Sequence, residues 1–139
     1  ERNADQFGDG RVHLLLGDIA ELDSPVDTEL TRALAPLRGR VDVLVSNPPY
    51  VPDDMVPRDP EVRDHDPALA LYGGPDGLDL VRLISRVARD LVVSGGTLVL
   101  EHAETQGAAI RAILGADGWS GAATHRDLTL RDRATVAIR

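Results

Sequence analysis

Residues 39–50, GRVDVLVSNPPY, decide how this chain is read. An apolar run, Val41 to Ser46, stops at Asn47 and two prolines, with Tyr50 next and Pro52 just beyond. Proline donates no backbone hydrogen bond and fixes its own φ, so it ends a sheet strand abruptly. The run is expected to be a buried strand that delivers Asn47 into a stiff corner. In open α/β sheets ligands sit outside the carboxyl ends of the strands, which is where Asn47 falls.

Working outward, RVHLLLGDI (11–19) reads as a short strand, Val12 to Leu16, that ends at Gly17-Asp18. SPVDTELTRAL (24–34) reads as a short helix or turn, with Ser24 as N-cap and Pro25 at the first helical position. Residues 51–77 carry five prolines and many acids. They are expected to form a long, mostly irregular segment, which in a compact domain is usually functional or disordered. Leu80, Val81, Ile84, Val87, Ala88 and Leu91 recur at helical spacing, which predicts a helix over 78–92 closed by Ser94-Gly95-Gly96. A strand over 97–102 and a helix over 105–118, closed by Gly115 or Gly118, follow. Residues 122–128 and 134–139 read as two last strands, antiparallel because their link is so short. Strands alternating with helices predict an α/β sheet with parallel strands.

The bulk numbers narrow the function. The 139 residues suffice for one modest domain. Hydrophobic residues at 42% and charged residues at 27% fit a globular protein, not a disordered one. Aromatics make up only 3%, so Val, Leu, Ile and Ala must build the core. Phe7, Tyr50, Tyr72 and Trp119 therefore stand out, although packing explains any one of them. The net charge of −8 speaks against a broad footprint on nucleic acid or an anionic membrane. Lys is absent and all fifteen basic residues are Arg. With no Cys there is no disulfide, thiol nucleophile or Cys-metal site, and a cytoplasmic setting is consistent with that. No apolar run reaches membrane-spanning length, and the polar start is no signal peptide.

The corner suggests its own chemistry. Asn47 offers an amide oxygen. Asn47 and Pro48 each precede a proline, so both are pushed to extended backbone, and the Pro48 carbonyl is left without a helix or sheet partner. Two rigid acceptors suit the two hydrogens of a planar –NH₂ group on an amide or a nucleobase. Such a nitrogen is a poor nucleophile because its lone pair is delocalised. Holding both hydrogens orients it and favours a tetrahedral nitrogen as an electrophile approaches. Tyr50 could lay its ring on the flat group, with no metal required. The bland alternative is a plain strand-to-loop stop, since Asn and Pro are common turn residues.

LVSNPPY (44–50) resembles the motif of amino-methyltransferases that use S-adenosylmethionine. More narrowly, the chain resembles the HemK-type protein-(glutamine-N5) methyltransferases. The likeness extends through PEVRDHDPALALYGGPDGLD (60–79), GGTLVLEH (95–102) with Gln106, and RDLTLRDR (126–133). It implies a Rossmann-like, class I methyltransferase sheet with an antiparallel strand pair at its end. It implies S-adenosylmethionine as methyl donor, and the glutamine amide of a Gly-Gly-Gln loop in peptide-chain release factors as acceptor. By position, Asn47 and the Pro48 carbonyl would hold that amide, with Pro49 and Tyr50 beside it. Asn47 would also face the cofactor, and Asp18 would sit near its adenine; an exposed turn Asp is the alternative. Arg63 and Asp66 would order a loop over the substrate or form a solvated charge pair. Glu101 and His102 would end a strand on the same side, His102 as a structural residue.

Two departures matter. Leu130 stands where the family's closing signature has Gly. The family's Gly-rich cofactor loop, and the acidic residue that follows it, have no counterpart here. Residues 1–139 are therefore expected to be the C-terminal portion of a catalytic domain, without its first two strands or the amino-terminal substrate-binding domain. ERNA (1–4) looks like the tail of a helix from the missing part. Such a fragment is expected to be inactive by itself, and its open edge at the Val41 strand could favour self-association. The rivals are a DNA adenine-N6 or rRNA guanine-N2 methyltransferase with the same corner, or a catalytically inactive fragment.

Overall fold

The apolar run before Asn47 is strand β1 (Val41–Ser46), and it opens a four-stranded sheet with β2 (Val92–Glu101), β3 (Ser120–Arg126) and β4 (Asp132–Ile138). The computed structural model describes residues 11–56 and 60–139; Phe7 and the ERNA start lie outside these. Five α-helices occur among the described residues: α1 (Glu29–Leu34), α2 (Pro60–His65), α3 (Ala68–Leu71), α4 (Asp79–Leu91) and α5 (Gly107–Ala116). The chain divides into two compact units, the first ending at Pro36 and the second spanning Leu37–Arg139. Among the described residues, no helix is long and apolar enough to cross a membrane.

In the second unit the strand order is β1-β2-β4-β3. β1 pairs parallel with β2, whereas β2–β4 and β3–β4 are antiparallel, so the α/β sheet is mixed. The core forms where apolar periodicities meet. Helix α4 buries Val81, Ile84, Val87, Ala88 and Leu91, and α5 buries Ile110 and Leu114. Leu98 and Leu100, two apart on β2, share a face and are wholly buried. Each such leucine contributes about 1.5 to 3 kcal/mol through burial. Trp119 is a core residue whose indole N–H donates to the Ser85 carbonyl at 3.2 Å.

The expected buried strand at 41–46 is confirmed as a strand but not as fully buried. β1 lies at the end of the sheet order, and Val43 and Val45 remain 55% and 70% exposed. The expectation that Ser94-Gly95-Gly96 closes α4 is corrected. The helix ends at Leu91 and β2 begins at once, with both glycines inside it. Val41 pairs with Val92 and Val43 with Thr97, so the extra β2 residues bulge out of the ladder. Their polar groups are met elsewhere: Gly95 N–H donates to the Arg139 carbonyl at 2.8 Å, and Arg139 N–H to the Gly96 carbonyl at 2.9 Å. Residues 51–77 hold more order than expected, with α2, α3 and a Val51–Tyr72 bridge.

The turn between β3 and β4 keeps a left-handed residue although Leu130 occupies it, at φ 65°. Asp127 holds it. One carboxylate oxygen accepts from the Thr129 hydroxyl at 2.7 Å, the Thr129 N–H at 2.8 Å and the Arg131 N–H at 3.1 Å. These bonds, the Thr129 hydroxyl foremost, hold the Asp127 carboxyl down at about 2.

In the first unit, residues 12–16 are not a strand. A strand exists through its ladder, and among the described residues nothing pairs with this run. Helix α1 starts later than expected, because Thr28 rather than Ser24 is its N-cap. Thr28 Oγ1 accepts from Thr31 N–H at 3.2 Å, and Thr31 Oγ1 accepts from Thr28 N–H at 2.8 Å. That reciprocal box satisfies two helix-end donors together. Ser24 instead closes the 3-10 turn Ile19–Asp23.

Candidate functional site

The carboxyl end of β1 is paired to its last residue, Ser46 standing opposite Leu100. Asn47 then leaves the sheet with an exposed side chain. Among the described residues, nothing hydrogen-bonds to that side chain or to the Pro48 carbonyl oxygen. Pro48 is buried, so its ring anchors the corner, and Pro49 and Tyr50 are half-buried. Two unengaged acceptors thus belong to consecutive residues of the corner.

The following residues are held by the turn 73–77. Val51 N–H donates to the Leu71 carbonyl and Gly73 N–H to the Val51 carbonyl, both at 2.9 Å. A methyl group on Gly73 would lie 2.5 Å from the Pro49 carbonyl oxygen, and one on Gly77 would lie 2.3 Å from that of Tyr50. Only glycine permits so close an approach, and Gly77 also needs its φ of +72°. Asp76 ties the turn to α4. Its two oxygens accept from Arg82 at 2.6 and 3.0 Å, a forked pairing. The Arg82 guanidinium brings the Asp76 carboxyl down to about 2.

Gln106 closes the arrangement from the third side. Its Oε1 accepts from Ala103 N–H at 3.0 Å, and its Nε2 donates to the Tyr50 carbonyl at 2.9 Å and the Asp76 carbonyl at 3.4 Å. One side chain therefore touches the β2 exit, the Asn-Pro-Pro-Tyr corner and the glycine turn. The sequence marked Gln106 only as a family match and did not single out Gly73 and Gly77 as contact glycines. The available signal was two glycines that bracket an Asp just after a proline-rich stretch.

His102 is structural, as expected. It is wholly buried, with Nδ1 2.7 Å from the Ala103 carbonyl and Nε2 2.8 Å from Thr135 Oγ1. Thr135 Oγ1 lies 3.0 Å from Thr124 Oγ1, to which Arg111 donates. Arg111 cannot accept and a carbonyl cannot donate. Nδ1 therefore carries a hydrogen, and where Nε2 is the acceptor the hydroxyls run one way, from Arg111 through Thr124 and Thr135 to Nε2. The other residues named from the sequence are more scattered. Glu101 is half-buried at the end of β2, and Arg63 and Asp66 are exposed around the α2–α3 junction. Asp18 belongs to the first unit and caps its own turn. Its Oδ1 accepts from Ala20 N–H at 2.9 Å, and its N–H donates to Glu21 Oε1 at 3.0 Å.

No family model matches the chain. It is 49% identical over 107 residues to the release factor glutamine methyltransferase of Streptomyces coelicolor, which takes in 76% of this chain and 38% of that protein. Its likeness to the release factor glutamine methyltransferase of Corynebacterium glutamicum spans 99% of this chain and 45% of that protein, at 36% identity. It is also 42% identical over 108 residues to the 4-amino-L-phenylalanine/4-methylamino-L-phenylalanine methyltransferase of Streptomyces pristinaespiralis, over 77% of this chain and 36% of that protein. The chain spans less than half the length of these relatives. Over the stretch it covers, it is similar to the release factor glutamine methyltransferases.

Proposed function

We propose that this chain carries the acceptor corner of an S-adenosylmethionine-dependent methyltransferase that modifies the glutamine amide of a Gly-Gly-Gln loop in peptide-chain release factors. It is then the C-terminal portion of a class I, Rossmann-like catalytic domain, with the first two strands and the amino-terminal substrate-binding domain belonging to the remainder of such an enzyme. The observation that carries this is the pair of unengaged oxygens at Asn47 and Pro48, on a chain similar to enzymes named for glutamine methylation.

Asn47 Oδ1 and the Pro48 carbonyl accept the two hydrogens of the glutamine –NH₂. Pro49 and Tyr50 flank its plane. Held so, the nitrogen turns its lone pair toward the electrophile, and preorganised acceptors stabilise the positive charge that develops on it. S-adenosylmethionine supplies a methyl group on a sulfonium. That methyl would pass to the amide nitrogen as its bond to sulfur breaks, and the nitrogen would give up one proton. Asn47 also faces the cofactor. The exposed Asp18 carboxylate accepts from an adenine amino group. A release factor substrate places the enzyme in the cytoplasm.

A second acceptor is favoured by one observation. The Streptomyces pristinaespiralis relative is named for converting an arylamine into its methylamine. An arylamine is also flat, with a delocalised lone pair, and would suit the same two oxygens. The net charge of −8 disfavours the DNA or rRNA acceptor.

A chimera in which this chain replaces the matching segment of the Streptomyces coelicolor relative tests both acceptors. Methyl transfer to a release factor is expected, with little to free 4-amino-L-phenylalanine. Asn47→Ala should lower kcat roughly a hundredfold to a thousandfold. Its effect on urea stability should stay within about 0.5 kcal/mol, because the side chain is exposed. Full activity in that variant would dismiss the two-oxygen grip. The 139 residues alone, with no glycine-rich cofactor loop, should transfer no methyl, and measurable turnover by them would contradict this. The exposed outer edge of β1 should drive self-association, which a clean monomer in concentrated sedimentation runs would rule out.

A further inference from the structure

We propose that Gln106 is a positioning residue for methyl transfer, a buried amide whose hydrogen bonds set the place of the Tyr50 carbonyl and thereby of Asn47 and Pro48. This rests on the function proposed above. Gln106 is only 8% exposed, and both ends of its amide are engaged. Its partners come from three separate segments: Ala103, Tyr50 and Asp76.

The residue type follows from the partners. The position needs one acceptor, for the Ala103 N–H, and two donors, for the Tyr50 and Asp76 carbonyls. A primary amide supplies that set, whereas a carboxylate has no hydrogen to donate and would face two carbonyl oxygens. The corner is otherwise short of tethers, because Pro48 and Pro49 have no N–H to anchor it. From the other side, Gly77 stops the Tyr50 carbonyl at backbone contact, since even a methyl there would lie 2.3 Å from it. Gln106 pulls on the same oxygen that Gly77 limits. Pro48 and Pro49 then pass that position to Asn47 through backbone that cannot easily turn.

The test uses Gln106→Leu, which keeps volume and drops the bonds, and Gln106→Glu, which keeps shape and removes the donors. In the 139-residue chain, amide hydrogen exchange is read at Val51 and Gly73, which flank the corner. Both amides should exchange roughly tenfold to a hundredfold faster in each variant. The β2–β4 ladder amides should stay within about twofold of their original rates. Unchanged rates at Val51 and Gly73 would overturn the clamp, and so would an equal rise at every protected amide. In the chimera, kcat should fall roughly tenfold to a hundredfold with KM for S-adenosylmethionine within about twofold. An unaltered kcat in both variants would refute the positioning role. An unmutated chimera that transfers no methyl to a release factor would instead remove the function on which the role rests, while the exchange rates still decide the clamp.

Discussion

Two runs of this chain, VHLLLGD (12–18) and VDVLVSN (41–47), look alike, yet only the second is a strand. Both begin with Val, carry several aliphatic residues and end on an Asp or Asn after a small residue. Burial differs only in part: residues 12–18 are all exposed, and β1 half-buries Val41, Leu44 and Ser46 while Val43 stays 55% exposed. What separates them is a partner. Val43 to Ser46 lie in register beside Thr97 to Leu100, and Leu98 and Leu100 are wholly buried in the core. Residues 12–16 have no such neighbour among the described residues. An aliphatic run is a candidate strand, and the ladder makes it one.

The sharpest way to break this comparison is at the partner itself. Leu98→Ala should cost about 2 to 5 kcal/mol in urea unfolding, because it leaves a cavity under β2. Leu14→Ala should cost less than about 0.5 kcal/mol. Equal costs would mean that the first run is packed after all.

Next in size are the two glycines beside these runs. A methyl on Gly96 would lie 2.8 Å from the Asp42 carbonyl oxygen of β1, and backbone yields poorly. Gly96→Ala should destabilise by about 1 to 3 kcal/mol. A methyl on Gly17 would also approach to 2.8 Å, but toward the end of the Leu30 side chain, which can rotate away and leaves only Leu30 Cβ close, at 3.0 Å. Gly17→Ala should cost below about 1 kcal/mol, and the reverse order in thermal unfolding would upset the contrast.

A smaller effect tests how much local strain a paired strand tolerates. Leu130 holds φ 65° between β3 and β4, and Leu130→Gly should raise stability by about 1 kcal/mol in the same assay. No gain would mean that the turn relaxes around leucine.

The least of the expected effects concerns acid. Asp76 and Asp127 in the second unit are held at about 2, below the ordinary 3.8, and Glu21 in the first unit is lowered by its hydrogen bonds to Thr28 and Asp18. With folded values depressed, the unfolded chain binds protons first. Their stabilisation is complete above the unfolded value and fades as pH drops from about 4 toward 2. The urea midpoint should fall across that window. Arg82→Met should flatten the part due to Asp76, and an identical pH slope in that variant would exclude the pairing as its cause.

Much of the fold was legible in the sequence wherever a strong pattern met a strong stop. β1 lies at Val41–Ser46 because the apolar run meets Asn47 and two prolines. Helix α4 lies within 78–92 because six apolar residues share one face. The expected antiparallel pair at the end is β3 and β4. What escaped depended on distant partners. Ser94-Gly95-Gly96 looks like a loop, but Arg139, more than forty residues on, draws it into the sheet. Ser24 and Thr28 are both good caps, and only the reciprocal bonds with Thr31 choose between them. At the candidate site, the corner itself was readable because proline chemistry is local. Its supports, Gln106 and the glycine turn, were not, because contacts across 56 and 30 residues join them.

The Gln106 side chain has one more consequence. Its –NH₂ group already rests between two carbonyl oxygens, those of Tyr50 and Asp76. That is the posture proposed for the glutamine to be methylated, repeated a few residues away with the reactive face shut off from solvent. The protein thus contains an inert twin of the substrate proposed for it. The nitrogen resonance of that side chain offers an internal yardstick for a gripped amide, against which the signal of an arriving glutamine can be judged.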